Sequence, residues 1–271
     1  LSLLETTYYQ LIVTSNFGCG SKITNTVIIT VHDEFITGSI TVTDTICYNT
    51  PSNIINTLVP PTGGNTPYSY IWEYTTDINT AWIPTGFNLD SHNPGLLTDT
   101  TYFRVQYVSN SNCGALYSDT SQIVVLPQVD AGIVISDQYL CYDSLATPLS
   151  VSVNATGGDN TFNYQWQSNT GSSWNPAGGL DSTTIYEPGY MNTSTSYRLK
   201  VTSTYDANCI SRYTDSIYVH VYDSLDPGII TSDQTICYDT VPGLLEFSSL
   251  PQGADGGYSY QWQHRVDTNS W

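Results

Sequence analysis

The chain repeats at a step of about 95 residues, and its rarest residue types mark the step. Cys47, Cys141 and Cys237 are spaced by 94 and 96 residues, and Trp72, Trp166 and Trp262 by the same two intervals; Cys19, Cys113 and Cys209 form a second cysteine series on that spacing. Solenoid repeats run about 20–50 residues. A unit about twice that long matches one small all-β domain. The repeat therefore predicts separately folded beads in series, with boundaries at 1–33 (the end of a module), 34–127 and 128–222 (two whole modules) and 223–271 (the start of another). On this reading the sequence is a slice of a longer polypeptide.

One unit contains the local signals of a sandwich. In Tyr68-Ser-Tyr-Ile-Trp-Glu-Tyr the aromatic residues alternate, as they do at Phe162, Tyr164 and Trp166 and at Tyr258, Tyr260 and Trp262. Period two with one aromatic face predicts a half-buried strand. A second tryptophan class (Trp82, Trp174, Trp271) follows a polar turn and predicts the returning arm of a hairpin. Pro-Gly turns at Pro94-Gly95 and Pro188-Gly189 precede strands that open on Tyr102 and Tyr197. About seven strands, with turns every 8–12 residues, predict an all-β fold of tandem Ig-like β-sandwich modules.

Composition narrows the function. Six Lys and Arg stand against 24 Asp and Glu, a net charge of −18. Nucleic-acid binding needs a basic face, so no nucleic-acid partner is expected, nor an anionic membrane surface. No run of about 18 apolar residues is present, so no membrane insertion is expected. The four histidines, His32, His92, His220 and His264, fall at unmatched positions in the repeat and in no nucleophile or metal motif. No catalytic residue is assigned, and no enzyme activity or cofactor is expected. Asp33, Glu34, Asp130, Asp223 and Asp226, near the module boundaries, have the oxygen chemistry of calcium ligands; the alternative is solvated linker charge. The aromatic strand reads as core rather than as a sugar-stacking platform, with Tyr74, Tyr107 and Tyr117 as exposed contact residues.

Cysteines at fixed spacing in a strand-rich acidic chain indicate an oxidising, extracellular setting. Pairing within a module joins Cys47 to Cys113 and Cys141 to Cys209, leaving Cys19 and Cys237 for partners outside the sequence. An Ig-like topology places the two cysteines of one module at opposite ends of a strand spanning about 23 Å, whereas a disulfide needs Cα atoms within about 7 Å. The alternative is Cys47 with Cys209 across a module boundary. Free thiols are the third reading.

The motifs Asp-Gln-x-Ile/Leu-Cys (Asp137 to Cys141, Asp233 to Cys237), Tyr-x-Tyr-Gln-Trp-Gln (Tyr258 to Gln263) and Pro-Gly-x-x-x-x-Thr-x-Tyr (Pro188 to Tyr197) define one module type. It resembles the Ig-like/PKD-like repeats of giant Bacteroidota cell-surface proteins, including gliding-motility adhesins of the SprB type and other type IX secretion substrates. Module one departs in reading Asp44-Thr-Ile-Cys and Tyr-Ile-Trp-Glu-Tyr. The resemblance implies a cell-surface adhesin or extracellular filament, and O-glycosylation at Asp-Ser/Thr motifs: Thr45, Thr100, Ser144, Ser182, Ser216, Ser224 and Thr240. It implies a stalk or multivalent adhesive surface whose partners are surface glycans or other substratum ligands. The rival readings are a protomer that self-associates into a filament, and carbohydrate-binding accessory modules of a secreted glycan-degrading enzyme.

Overall fold

A computed structural model describes residues 2–41, 43–110, 113–135, 137–206 and 208–266. Two positions of the sequence reading, Val42 in the first strand of module one and Trp271 in the hairpin class, lie outside them. Among the described residues every regular element is a β-strand. The chain divides into two compact units, 1–128 and 129–271, each holding one complete sandwich.

In the first unit the long strands Ser69–Thr75 and Thr101–Val108 pair antiparallel, with Trp72 opposite Val105 and Tyr74 opposite Phe103. Thr101–Val108 alternates buried and half-buried at every position, as a strand with one face on a core must. Ser121–Val125 pairs antiparallel with it, and Thr43–Ile46 runs parallel to Ser121–Val125 on the far side. Ile83–Pro84 folds back onto Glu73 and Tyr74, which makes Trp82 the start of a hairpin's returning arm. The facing sheet is short: Ser91–His92, Ile55–Val59 and Ser39–Ile40. The first strand of the module is thus divided between the layers. Ser39–Ile40 serves one sheet and Thr43–Ile46 the other, parallel to the last strand.

The second unit repeats this plan. Phe162–Asn169 pairs with Thr195–Ser203, placing Trp166 opposite Leu199; Ile217–Val221 follows, and Gln138–Leu140 runs parallel to it. Ile133–Val134 and Leu149–Val153 belong to the opposite layer. The cores correspond. Trp72, Phe103, Val105 and Ile123 are buried in one, and Trp166, Leu199, Val201 and Val219 in the other. Each indole also satisfies its N–H: Trp72 Nε1 donates to the Leu89 carbonyl (2.8 Å) and Trp166 Nε1 to that of Thr183 (3.0 Å). A buried donor without a partner costs about 1–3 kcal/mol, so these bonds allow the largest side chain to sit at the centre of the bead.

The Gly-Gly loops are fixed by contact. Gly64 (φ 61°) and Gly158 (φ 55°) have left-handed backbones. A Cβ on Gly64 would lie 2.4 Å from Ser109 Oγ, and one on Gly158 2.8 Å from the Ser203 side chain. The Ser109 hydroxyl uses that proximity to accept from Asn65 N (2.7 Å).

The flanking segments hold the strands their sequences specify. Thr7–Tyr9 pairs with Val27–Ile29, and Ile12–Thr14 with Ser21–Ile23. Asp223–Asp226 pairs with Gln252–Ala254, and Ile229–Ile230 with Phe247–Ser249. Trp262 is 60% exposed, against 0% for Trp72 and Trp166.

Candidate functional site

The most distinctive repeated chemistry is an arginine held between two aromatic rings. Arg104 and Arg198 occupy the same place on the Thr101–Val108 and Thr195–Ser203 strands. The Arg104 guanidinium lies 4.2 Å from the ring centroid of Trp82 and 3.9 Å from that of Tyr117. Arg198 sits 4.3 Å from Trp174 and 4.0 Å from Tyr213. Each Nε donates to the neighbouring strand: Arg104 to Glu73 Oε2 (2.9 Å), with a further ion-pair contact at 2.8 Å, and Arg198 to Gln167 Oε1 (2.9 Å). The planar guanidinium suits this double stack, which lysine cannot reproduce. Two of the six Lys and Arg are committed to it. The sequence reading missed the clamp, although its signal was present: Arg104 and Arg198 recur at the 94-residue step alongside the second tryptophan class.

The exposed-contact expectation divides. Tyr117 is exposed but stacks on Arg104, and Tyr74 is half-buried; Tyr107 is wholly buried, 5.6 Å edge-on to Tyr70. Its position on an alternating strand places it on the inward face with Phe103 and Val105, so the expectation of an exposed Tyr107 is corrected.

A shallow cleft of 290 Å³ in the first module is lined by Tyr74, Thr85, Phe87, His92, Asn93 and neighbours. His92 is buried there, 5.5 Å from the Trp72 ring, 5.0 Å from Phe87 and 5.4 Å from Phe103, and its Nδ1 has no hydrogen-bond partner among the described residues. Burial pushes its pKa down, keeping the imidazole neutral. Its counterpart in module two is Tyr186, whose hydroxyl donates to the Ala177 carbonyl (3.0 Å) beside a glycine-rich cleft. The two modules thus share a core but not the chemistry of this cleft.

The cysteines sit where the fold's ends are. Asn49 and Asp143, in left-handed conformation (both φ 55°), close the Cys-Tyr-Asx turns; the Asn49 and Asp143 amides are pinned to the carbonyls of Leu97 and Met191. Cys47 follows Ile46 and Cys141 follows Leu140, both at the end of the sandwich where Thr101 and Thr195 begin their strands. Cys113 and Cys209 lie beyond Val108 and Ser203, at the opposite end. Eight or nine residues of strand at about 3.4 Å each separate the two positions, well beyond disulfide reach. Pairing within a module, Cys47 with Cys113 and Cys141 with Cys209, is therefore corrected. Cys47 and Cys209 are each disulfide-bonded, whereas Cys19, Cys141 and Cys237 carry exposed thiols.

No group of three or more metal-ligating side chains occurs among the described residues. Asp130 and Asp226 instead use a carboxylate oxygen to accept from Gly132 N and Gly228 N (2.9 Å each) in local turns. Among the described residues no helix is long and apolar enough to cross a membrane. Of the Asp-Ser/Thr motifs, Ser182, Ser216 and Ser224 are exposed. Thr45 and Ser144 are half-buried within strands, Thr100 Oγ1 accepts from Val125 N, and the Thr240 hydroxyl donates to the Cys237 carbonyl.

The topology defines tandem Ig-like β-sandwich modules. The chain belongs to the family described as a domain of unknown function, DUF8696, whose model matches residues 36–127 and again 130–223. No curated protein matches. Among solved structures, it is similar to the three N-terminal domains of the highly immunogenic outer capsid protein of bacteriophage RB49 (12% identity, 80% of this chain and 79% of that one, TM-score 0.40). It is also similar to titin domains I67–I69 (12%, 70% and 66%, 0.36) and Sidekick-1 immunoglobulin domains 1–4 (13%, 87% and 62%, 0.28).

Proposed function

We propose that the chain is a non-enzymatic stretch of an extracellular, cell-surface repeat protein of the kind its motifs resemble, the giant Bacteroidota surface adhesins, serving as stalk and as weak multivalent surface. The observation that carries this is what the repeat keeps and what it changes. The buried tryptophan, its indole hydrogen bond and the stacked arginine recur from module to module, while the cleft beside them changes from His92 to Tyr186. Repetition here preserves a building block rather than a reactive site. A net charge of −18 keeps such an array soluble and self-repelling. Repeated weak contacts along one chain gain through effective concentration.

In this reading O-glycans occupy the exposed Ser182, Ser216 and Ser224, and the ligands are surface glycans or other substratum groups. Antibody raised against residues 34–222 tests the location. Labelling of intact source cells is expected; labelling only after permeabilisation rejects the proposal.

A further inference from the structure

The geometry points to a sugar subsite in module one: the cleft around His92 takes one uncharged hexopyranose ring. His92 closes the short strand Ser91–His92, whose pairing with Ile55 and Asn56 sets its ring against that of Trp72. The side chain lines the cleft and is only 4% exposed, and its Nδ1 has no hydrogen-bond partner among the described residues. A buried polar atom without a partner is costly, and a ligand that supplies one recovers that cost. A neutral imidazole presents one N–H and one bare nitrogen. A hydroxyl both donates and accepts, so it matches either nitrogen.

The rest of the cleft selects what carries the hydroxyl. None of the residues lining it is charged, so an ammonium finds no carboxylate there, and the net charge of −18 opposes an anion. Phe87 lines the cleft with a ring that is 54% exposed, beside the half-buried Tyr74. These are apolar faces against which the C–H side of a sugar ring packs. Two polar neighbours have donors to spare. Asn93 Oδ1 accepts from Gly95 N (3.0 Å) and Thr85 Oγ1 from Phe87 N (3.2 Å), which leaves the Asn93 amide protons and the Thr85 hydroxyl proton for a ligand. A phenol brings one hydroxyl to three polar groups, whereas a pyranose carries several around its ring. The volume, 290 Å³, stands at the small end of ligand pockets, about 300–1,000 Å³, and suits one ring.

Module two lacks the arrangement. Tyr186 stands in place of His92, its hydroxyl already donates to the Ala177 carbonyl (3.0 Å), and Glu187 puts a charge on the cleft wall. The subsite therefore belongs to module one alone. It deepens the reading of the chain as a weak multivalent surface for glycans and rests on that reading for the source of the sugar.

NMR titration of the purified, isotope-labelled whole chain tests the subsite. The probes are glucose, galactose, mannose and N-acetylglucosamine, with glycerol as the acyclic polyol and p-cresol as the phenol. At least one sugar is expected to shift the His92 and Phe87 ring signals saturably, with a dissociation constant on the order of 1–10 mM, and to leave Tyr186 unmoved. Phe87→Ala, at an exposed position, is expected to weaken that binding about tenfold, and His92→Phe to remove saturation at the Phe87 ring. Saturation by none of the four sugars, by p-cresol in their place, or equally by glycerol overturns the inference, as does sugar binding that Phe87→Ala leaves unchanged. Surface labelling of cells without sugar binding rejects this subsite alone; sugar binding without surface labelling rejects only the location.

Discussion

The guanidinium of Arg104 lies 4.2 Å from the ring of Trp82, and a module later Arg198 repeats the relation with Trp174 at 4.3 Å. The tryptophan is supplied by a hairpin arm and the arginine by a strand some twenty to thirty residues later in each case. One contact therefore fastens the polar turn of the hairpin to the centre of the larger sheet.

Replacing that arginine by lysine is expected to lower stability by about 1–2 kcal/mol per module, because an ammonium cannot stack flat between two rings. Urea unfolding of Arg104→Lys and Arg198→Lys measures it. Glu73→Gln copies the arrangement that Arg198 already has with Gln167 and is expected to cost less than either, about 0–1 kcal/mol, since the pair is partly solvated.

The core tryptophans carry more. Trp72→Ala or Trp166→Ala removes the largest fully buried side chain of its module and is expected to cost about 3–5 kcal/mol. A bead of this size is stable by about 5–15 kcal/mol, so the affected module is expected to unfold at markedly lower urea concentration while the other keeps its own transition.

Acid separates the modules. His92 has its pKa lowered by burial, so the unfolded chain binds the proton more readily than the folded one. Its contribution is complete above the unfolded value of about 6.5 and is lost as pH falls below it. In module two the acid-sensitive group is Asp159, held at about 2 by hydrogen bonds from the Ser203 and Thr161 hydroxyls; its contribution is present above 3.8 and lost as pH falls toward about 2. Module one is expected to begin weakening as pH falls below about 6.5, well before the range below 3.8 in which Asp159 acts on module two. His92→Tyr, which gives module one the residue that module two has at Tyr186, is expected to abolish the difference in pH-dependent thermal melts.

Gly64→Ala and Gly158→Ala are each expected to destabilise by more than about 1 kcal/mol. They combine a left-handed backbone with a collision against Ser109 or Ser203. Relief of the collision alone, as in Gly64→Ala with Ser109→Ala, is expected to recover only part of the loss, which denaturant titration resolves.

Period and alternation made the beads, the buried tryptophans and the hairpins legible from sequence, because Trp72 and Trp166 sit on strands whose inward faces carry the alternating aromatics Tyr70, Trp72 and Tyr74 and Phe162, Tyr164 and Trp166. Other features were less legible for physical reasons. The parallel pairing of Thr43–Ile46 with Ser121–Val125 joins short segments about 80 residues apart, and neither has a period long enough to announce its partner. Tyr107 reads as a surface residue near a strand end, but the alternation that buries Phe103 and Val105 carries it inward as well. The cysteine spacing showed only that the two classes recur; that the two in one module stand a full strand apart was legible from the expected Ig-like topology, not from the spacing. His92 was visible only as a histidine that broke the repeat, and its burial depends on Trp72, Phe87 and Phe103 gathering around it.

The exchange of the indole N–H protons, followed by NMR on the uniformly nitrogen-labelled chain, tests most directly whether each block is a closed two-layer bead. Trp72 and Trp166 are buried and bonded to the carbonyls of Leu89 and Thr183, so their indole protons are expected to exchange orders of magnitude more slowly than that of the exposed Trp262. Exchange of all three at one rapid rate would place the rings in open clefts and contradict the fold described here.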